Sequence, residues 1–103
     1  MISETPEAPY YAVIFTSIRN DKNQGYAETA SNMMALAAKQ QGFLGVESAR
    51  EELGITVSYW RDIESIKQWK QQLDHLAAQK KGRELWYQSY RVRIAKVEKD
   101  YGF

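Results

Sequence analysis

The chain has 103 residues, a formal net charge of +1 and 44% hydrophobic residues, which fits one modest globular domain. The nearly neutral charge balance argues against a nucleic-acid binder and against a polybasic membrane-binding surface. The sequence contains no cysteine and one histidine, which excludes disulfides, thiolate metal sites and a multi-histidine metal centre within one chain. No apolar run has the length of a membrane span, and the N-terminus does not resemble a secretory signal. We therefore expect a cytoplasmic protein without a metal.

Residues 1–9 are mostly polar and include two prolines, so we expect a flexible N-terminal arm before a single domain over residues 10–103. Tyr10 to Ile18 is rich in β-branched and aromatic residues, which predicts a strand. Both alternating sets of this strand are largely apolar, whereas an exposed sheet face would show a polar residue at every second position. We therefore expect both faces of the strand to be covered.

The later segments alternate between helical and strand patterns. Gly42 and Gly82 are expected to end the two helices, and Asp62 is a good N-cap for the second one. A turn over residues 52–54 is expected to join the second and third strands. The predicted elements are a helix over Tyr26–Gln41, strands over Phe43–Glu51 and Ile55–Arg61, a helix over Ile63–Lys81 and a strand over Trp86–Val97.

The order strand, helix, strand, strand, helix, strand predicts an α+β, ferredoxin-like βαββαβ fold with an antiparallel sheet. Two helices cover only one face of a four-stranded sheet. Because the first strand is apolar on both sides, we expect the other face to pack on a second sheet, most simply that of an identical subunit. The predicted assembly is a homodimer in the form of a dimeric α+β barrel.

Aromatic residues are unusually frequent, at 13% of the chain, and suit either a core or a pocket for a flat ligand. Trp69 lies on the apolar stripe of the second helix, where a core role is the simpler interpretation. Trp60 alternates with Thr56 and Ser58, which places it opposite the main apolar set of its strand. In the last strand, Tyr90 shares a face with Val92 and Ile94.

His75 is the only side chain whose ordinary pKa lies near neutrality, so it is the candidate proton acceptor, although a surface or capping role is the simpler alternative. It lies six residues after Trp69, about 240° away around an unbroken helix, and a bend near Asp74 would change this angle. Arg91, with Arg93 on the same face of the last strand, is a candidate for orienting an anionic ligand. An inter-subunit salt bridge explains these arginines equally well.

Four short segments resemble the antibiotic biosynthesis monooxygenase family. The segments are GFLGVE at 42–47, SYWRD at 58–62, HLAAQ at 75–79 and GRELWY at 82–87, and the second one is followed by Ile66 and Trp69. The resemblance covers about residues 10–100. It implies a dimeric α+β barrel and a family that includes cofactor-free oxygenases of polyketide-type phenols and anthrones, haem-degrading oxygenases and proteins without a known reaction.

The haem-degrading branch of that family uses an asparagine on the first strand, a tryptophan on the second helix and a histidine after an Ala-Ala pair. Trp69 matches the tryptophan. Gln79 occupies the place of the histidine, and the first predicted strand contains no asparagine. Haem binding or degradation is therefore the weakest of the functional alternatives.

The resemblance favours a cofactor-independent monooxygenase of small aromatic, polyketide-like phenolic compounds, so no cofactor is expected. In this hypothesis His75 and Trp69 are catalytic, and Trp60, Tyr90 and Arg91 bind the substrate. Such a reaction needs water excluded, a ring held in place and a proton removed. A dimeric small-molecule-binding protein without turnover remains the alternative.

Overall fold

The computed structural model describes residues 2–19, 26–80 and 87–103, with residues 26–30 and 75–80 described by their backbone alone. None of the helices in these ranges is long and apolar enough to span a membrane. The elements are β1 (Tyr10–Arg19), α1 (Tyr26–Ala38), β2 (Phe43–Arg50), β3 (Leu53–Trp60), α2 (Ile63–Lys80) and β4 (Tyr87–Val97).

The four strands form one antiparallel sheet in the order β2-β3-β1-β4. This is the arrangement of a ferredoxin-like α+β fold, so the predicted fold class is confirmed. The α1 helix packs against β2 and the α2 helix against β3. Both of these strands lie in the same half of the sheet, so the described helix contacts are concentrated away from β4.

The first helix is shorter than predicted. It ends at Ala38 rather than Gln41, because the backbone then closes tighter turns in which Lys39 donates to Leu36 and Gln40 donates to Ala37, at 3.2 and 2.9 Å. Gly42 follows with a φ of +88°, a left-handed conformation that suits glycine. Its carbonyl accepts a hydrogen bond from the Arg61 amide at 2.8 Å, which ties the end of this turn to the end of β3.

The hairpin between β2 and β3 is also tighter than predicted. Leu53 and Gly54, expected in a turn, belong to β3, and the Glu51 amide donates to the Leu53 carbonyl at 3.2 Å. At the other end of β3, the Asp62 carboxylate accepts the Ser65 amide at 2.8 Å and caps α2 as predicted. Trp86, the predicted start of the last strand, lies outside the described residues.

The sheet has two faces of different character. We call the side that carries Tyr11, Val13, Phe15 and Trp60 the helix face, and the side that carries Tyr10, Ala12, Ile14 and Tyr59 the open face. The register pairs Tyr11 with Trp60, so their side chains share a face. The alternation predicted for β3 is therefore correct, but the core lies on the side of Trp60, opposite the apolar set at 55, 57 and 59.

The open face carries exposed aliphatic side chains at one end and a polar network at the other. Ile18, Leu53 and Ile55 are 41%, 48% and 43% exposed on this face. Within β1, Ser17 on the helix face and Tyr10 and Ala12 on the open face are buried, whereas the remaining residues are half-buried or exposed. In the part of the chain that the structure describes, the expectation that both faces of β1 are covered is therefore met only in part. At the other end, Ser3 donates its amide to the Glu47 carboxylate at 2.9 Å and its hydroxyl to the Val46 carbonyl at 3.0 Å.

Candidate functional site

One half of the helix face is a packed core. Trp60, at the end of β3, is fully buried and stacks on Trp69 of α2, with ring centroids 6.0 Å apart and 26° between the planes. Phe43 meets Trp60 edge to face at 5.4 Å. The Trp60 Nε1 donates to the hydroxyl of Ser58 at 2.9 Å, which satisfies the one polar atom of the buried ring. These contacts fix the start of α2 against the sheet.

The other half of the helix face is apolar and partly exposed. Tyr90, Val92 and Ile94 of β4 lie on this face and are 42%, 48% and 51% exposed. The register pairs Ile94 with Val13, which packs against the buried tryptophan cluster. An apolar surface therefore begins at the edge of the core and continues across β1 to β4.

Three aromatic rings cluster in this partly exposed half. Phe15 lies 5.3 Å from Tyr87 and 5.5 Å from Tyr90, measured between ring centroids, and the two tyrosines are 6.0 Å apart. Residues three apart on a regular strand point to opposite faces. Tyr87 and Tyr90 both contact Phe15 because the pairing of β1 with β4 shifts by one residue between Ile18 and Arg19. We call Phe15, Tyr87 and Tyr90 the aromatic cluster.

A part-buried arginine contact lies beside the aromatic cluster. Arg50, the last residue of β2, donates from Nη2 to the hydroxyl of Ser17 and from Nη1 to its carbonyl at 3.4 Å. Ser17 is almost fully buried, and the register places it opposite Tyr90. The arginine side chain reaches Ser17 by passing over Gly54, where any Cβ would overlap the guanidinium.

Two hydroxyls extend the polar side of this region. The Ser48 and Thr56 side chains share a hydrogen bond of 2.8 Å on the helix face, and Thr56 is paired with Phe15 of the neighbouring strand β1. This region therefore combines an aromatic cluster, a permanent positive charge and hydroxyl groups that can donate or accept. Such a combination of apolar walls with a few convergent polar groups is typical of a small-molecule site.

The residues proposed from the sequence occupy different places. Trp60 and Trp69 form the packed core, and Tyr90 belongs to the aromatic cluster. Arg91 pairs with Thr16 and lies on the open face, away from Tyr90. His75 and Gln79 lie in α2, which is uninterrupted at Asp74, but their side chains are not described. The segment 82–86 lies outside the described residues.

Sequence reasoning missed Arg50, Ser17, Phe15 and Tyr87 as members of one site. They come from three strands, and only the register brings them together. One local signal was available, because a glycine inside a strand often marks the close approach of another group. Gly54, with an arginine four residues earlier, is such a position.

A second polar network lies on the open face. The Tyr59 hydroxyl donates to the Glu47 carboxylate at 2.5 Å. Burial, followed by this hydrogen bond, raises the pKa of Tyr59 to about 12. The hydrogen bonds from Tyr59 and from the Ser3 amide lower the pKa of Glu47. A protonated phenol therefore faces an ionised carboxylate across the neutral pH range.

The two ends of the chain meet near the same network. The Tyr10 hydroxyl is hydrogen-bonded to the Asp100 carboxylate, and the Thr5 hydroxyl lies 3.0 Å from Tyr10 and 3.2 Å from that carboxylate. The hydrogen bond to Asp100 raises the pKa of Tyr10. Tyr10 also meets Tyr59 edge to face at 5.9 Å, so both terminal segments are connected to the middle of the sheet.

The fold defines a ferredoxin-like α+β protein whose two helices cover part of one sheet face. Residues 9–81 match the antibiotic biosynthesis monooxygenase family, and the chain belongs to that family. The sequence is also similar to uncharacterized protein YqjZ of Bacillus subtilis (strain 168). The two are 55% identical over 100 residues, which cover 95% of this chain and 88% of that protein.

Solved structures with the same fold come from several bacteria. SnoaB, a cofactor-independent oxygenase from Streptomyces nogalater, superposes with a TM-score of 0.70 at 13% identity and covers 90% of this chain and 97% of its own. Protein SO0527 from Shewanella oneidensis superposes with a TM-score of 0.74 at 8% identity and covers 96% and 100%. At these identities the likeness shows a shared fold alone.

Proposed function

We propose that the protein is a cofactor-independent monooxygenase of a small aromatic, polyketide-like phenolic compound. The observation that carries the proposal is the partly exposed half of the helix face, where Tyr90, Val92 and Ile94 provide an apolar surface beside the aromatic cluster. Membership of the antibiotic biosynthesis monooxygenase family supports the reaction type. SnoaB, which has the same fold, is a cofactor-independent oxygenase.

In the proposed reaction, a ring stacks against the aromatic cluster, and a base removes the proton of an activated C–H or O–H group. The resulting anion gives one electron to O₂, and the two radicals combine into a peroxide. Loss of water from this peroxide leaves a carbonyl, so an anthrone CH₂ group and O₂ become a quinone C=O group and water. The apolar surface keeps bulk water away from the anion.

The roles of the individual residues are proposed from their chemistry and, for the described side chains, from their positions. His75, the only histidine, is the proposed proton acceptor, since an imidazole has the pKa that suits proton transfer near neutrality. Tyr90 is proposed to bind the ring. Trp60 and Trp69 are positioning residues in this proposal, because their stack fixes α2 against β3. Arg91 has no role in it, because it lies on the opposite face of the sheet.

Oxygen uptake with an anthrone tests the proposal. We expect uptake with formation of the quinone by the wild-type protein, at least a tenfold loss in His75→Ala, and a clear loss in Tyr90→Ala (a base contributes on the order of 10²-fold or more). Tyr101→Ala is the matched control, because Tyr101 is an exposed tyrosine on the C-terminal tail. Far-UV circular dichroism checks that each variant is folded.

The possible outcomes separate the functional alternatives. Tight binding of the anthrone without oxygen uptake would replace the enzyme proposal with a binding protein. Equal uptake by Tyr90→Ala and Tyr101→Ala would contradict the location of the site. A Soret shift with added haemin, together with no anthrone turnover, would favour haem handling instead.

We also propose that the open face packs against the same face of a second copy. Proteins of this family are commonly dimeric. The exposed aliphatic side chains of Ile18, Leu53 and Ile55 provide an apolar surface of the kind that homodimer interfaces bury. The same arrangement would explain why β1 is apolar on both sides.

A further inference from the structure

We infer that the sheets of two copies stack about a two-fold axis parallel to their strands, so that Glu47 of each copy forms a salt bridge with Arg93 of the partner subunit. The inference rests on the dimer in the proposed function, because it assumes that the open face covers the same face of a second copy. It adds the orientation of the two copies and the ion pair that selects this orientation, neither of which the family membership or the sequence motifs assign.

One row of residues crosses the open face from edge to edge of the sheet. The register pairs Glu47 of β2 with Val57 of β3, Val57 with Ile14 of β1, and Ile14 with Arg93 of β4. We call these four residues the charged row. Because the strand order is β2-β3-β1-β4, the row is acidic, apolar, apolar and basic from one edge to the other. Its two charges are about 14 Å apart, which is three inter-strand spacings.

Both ends of the charged row carry a charge that a second copy can pair. Glu47 accepts hydrogen bonds from the Ser3 amide at 2.9 Å and from the Tyr59 hydroxyl at 2.5 Å, and both donors are neutral. These bonds lower the pKa of Glu47, so the carboxylate is ionised at neutral pH. Arg93 is exposed. Among the residues that the structure describes, no salt bridge joins Glu47 or Arg93 to an opposite charge.

A two-fold axis parallel to the strands makes the charged row complementary to itself. Rotation about this axis exchanges the two edges of the sheet, so that β2 of one copy faces β4 of the other. Glu47 then lies opposite Arg93 of the partner subunit, and Val57 lies opposite Ile14 of the partner subunit. Packed sheets stand about 10 Å apart, a gap that extended glutamate and arginine side chains bridge from its two sides. The interface is isologous, so each dimer contains the ion pair twice.

The alternative axis gives a poorer match of charges. Sheets that pack face to face usually keep their strands within about 30° of each other, which a two-fold axis allows when it is nearly parallel or nearly perpendicular to the strands. A perpendicular axis places each edge over the same edge of the other copy. Arg91 and Arg93 share the open face of β4, so this basic edge would meet an identical basic edge. Like charges that face each other across an interface weaken binding.

Charge reversal in separate copies tests the orientation. Glu47→Arg alone and Arg93→Glu alone should each weaken the homodimer by roughly tenfold or more, because like charges replace both ion pairs. Sedimentation velocity over a dilution series measures this loss. In an equal mixture of the two variants, both contacts of a heterodimer again join opposite charges. Native mass spectrometry of the mixture should therefore show heterodimer well above its statistical share.

Lys96→Glu is the matched control for Arg93→Glu. It makes the same change of charge on the same strand, but Lys96 pairs with Tyr11 and lies on the helix face. Lys96→Glu should keep the homodimer, and its mixture with Glu47→Arg should contain heterodimer only at the statistical share. Excess heterodimer in this control mixture would mean that net charge, and not the charged row, decides the pairing, and would overturn the inference.

The outcomes for the wild-type protein separate this inference from the proposed function. A wild-type monomer would overturn the dimer and the orientation together. A wild-type dimer whose charge-reversed variants mix without excess heterodimer would overturn the orientation alone. Oxygen uptake with an anthrone is measured independently of both results.

Cross-linking keeps the orientation falsifiable if a charge-reversed variant does not fold. The chain has no cysteine, so Glu47→Cys and Arg93→Cys each introduce a single thiol. A bis-maleimide with a spacer of about 10 Å, the distance between packed sheets, should link the two variants in a mixture and should not link either variant to itself. Links within a single variant, with none added by mixing, would place like edges together and overturn the inference.

Discussion

Trp60 and Trp69 lie ring against ring with 6.0 Å between their centroids, and this stack joins the end of β3 to α2. Both rings are buried, and Ile66 packs in the same cluster. The α2 helix, which also carries His75, is therefore positioned by an aromatic contact close to its first turns. The placement of His75, the proposed base, therefore depends on the Trp60–Trp69 stack, six residues earlier on the helix.

Replacing Trp69 by alanine should lower the free energy of unfolding by about 3–5 kcal/mol, because it removes a buried indole and leaves a cavity. Urea denaturation followed by circular dichroism measures this loss. Trp69→Phe keeps an aromatic ring and should lose much less stability. If the role of Trp69 is positioning, folded Trp69→Phe should retain most of its oxygen uptake; loss of uptake there would make the indole a catalytic group.

The stack shows what a sequence pattern can predict. Helical spacing on α2 predicts that Trp69 faces the core. Strand alternation predicts that Trp60 lies on the opposite face of β3 from Tyr59, Val57 and Ile55. Alternation alone does not reveal which face of β3 receives the helices. The more apolar set of β3 lies on the open face, so hydrophobicity points to the wrong side for the core of the single chain.

The site itself is less accessible to sequence reasoning than the fold. Arg50, Ser17 and Tyr90 become neighbours through two strand pairings and a glycine gap, none of which has a local motif. The aromatic cluster further depends on a one-residue register shift. Simple alternation predicts that Tyr87 and Tyr90 point to opposite faces, whereas both contact Phe15.

Gly42→Ala should lower the free energy of unfolding by about 1–3 kcal/mol, since a side chain is strained at positive φ. The φ of +88° provides this strain, and the new Cβ would also collide with the Ser65 side chain. Urea denaturation gives the difference. Gly102→Ala is the matched control, because a Cβ at Gly102 has no neighbour within 4 Å. Equal stability of the two variants would contradict this account of Gly42.

Tyr59→Phe should lower the free energy of unfolding by about 1 kcal/mol near neutral pH, because the Glu47 carboxylate loses a hydrogen-bond donor. The lowered pKa of Glu47 means that its contribution is present above its ordinary value of 4.5 and is lost as pH falls through the folded value. The difference between wild type and Tyr59→Phe should therefore shrink in acid. Urea midpoints between pH 3 and 9 measure this trend.

Burial of Tyr59, together with the same hydrogen bond, gives the opposite pH dependence in base. The pKa of Tyr59 is raised to about 12, so the stability that it contributes is complete below its ordinary value of 10.0 and is lost as pH rises through about 12. Subtracting the phenolate absorbance of Tyr59→Phe from that of the wild type should give a titration near pH 12. Glu47→Gln should move it downward. A difference curve centred at pH 10 would contradict the structural assignment.

Ile55→Asp should convert the proposed dimer into a monomer, because it places a carboxylate in the middle of the exposed aliphatic surface of the open face. Sedimentation velocity at micromolar concentration measures the change. Val92→Asp, at a comparably exposed aliphatic position on the helix face, should remain dimeric. A wild-type monomer, or equal dissociation of both variants, would contradict the proposed interface.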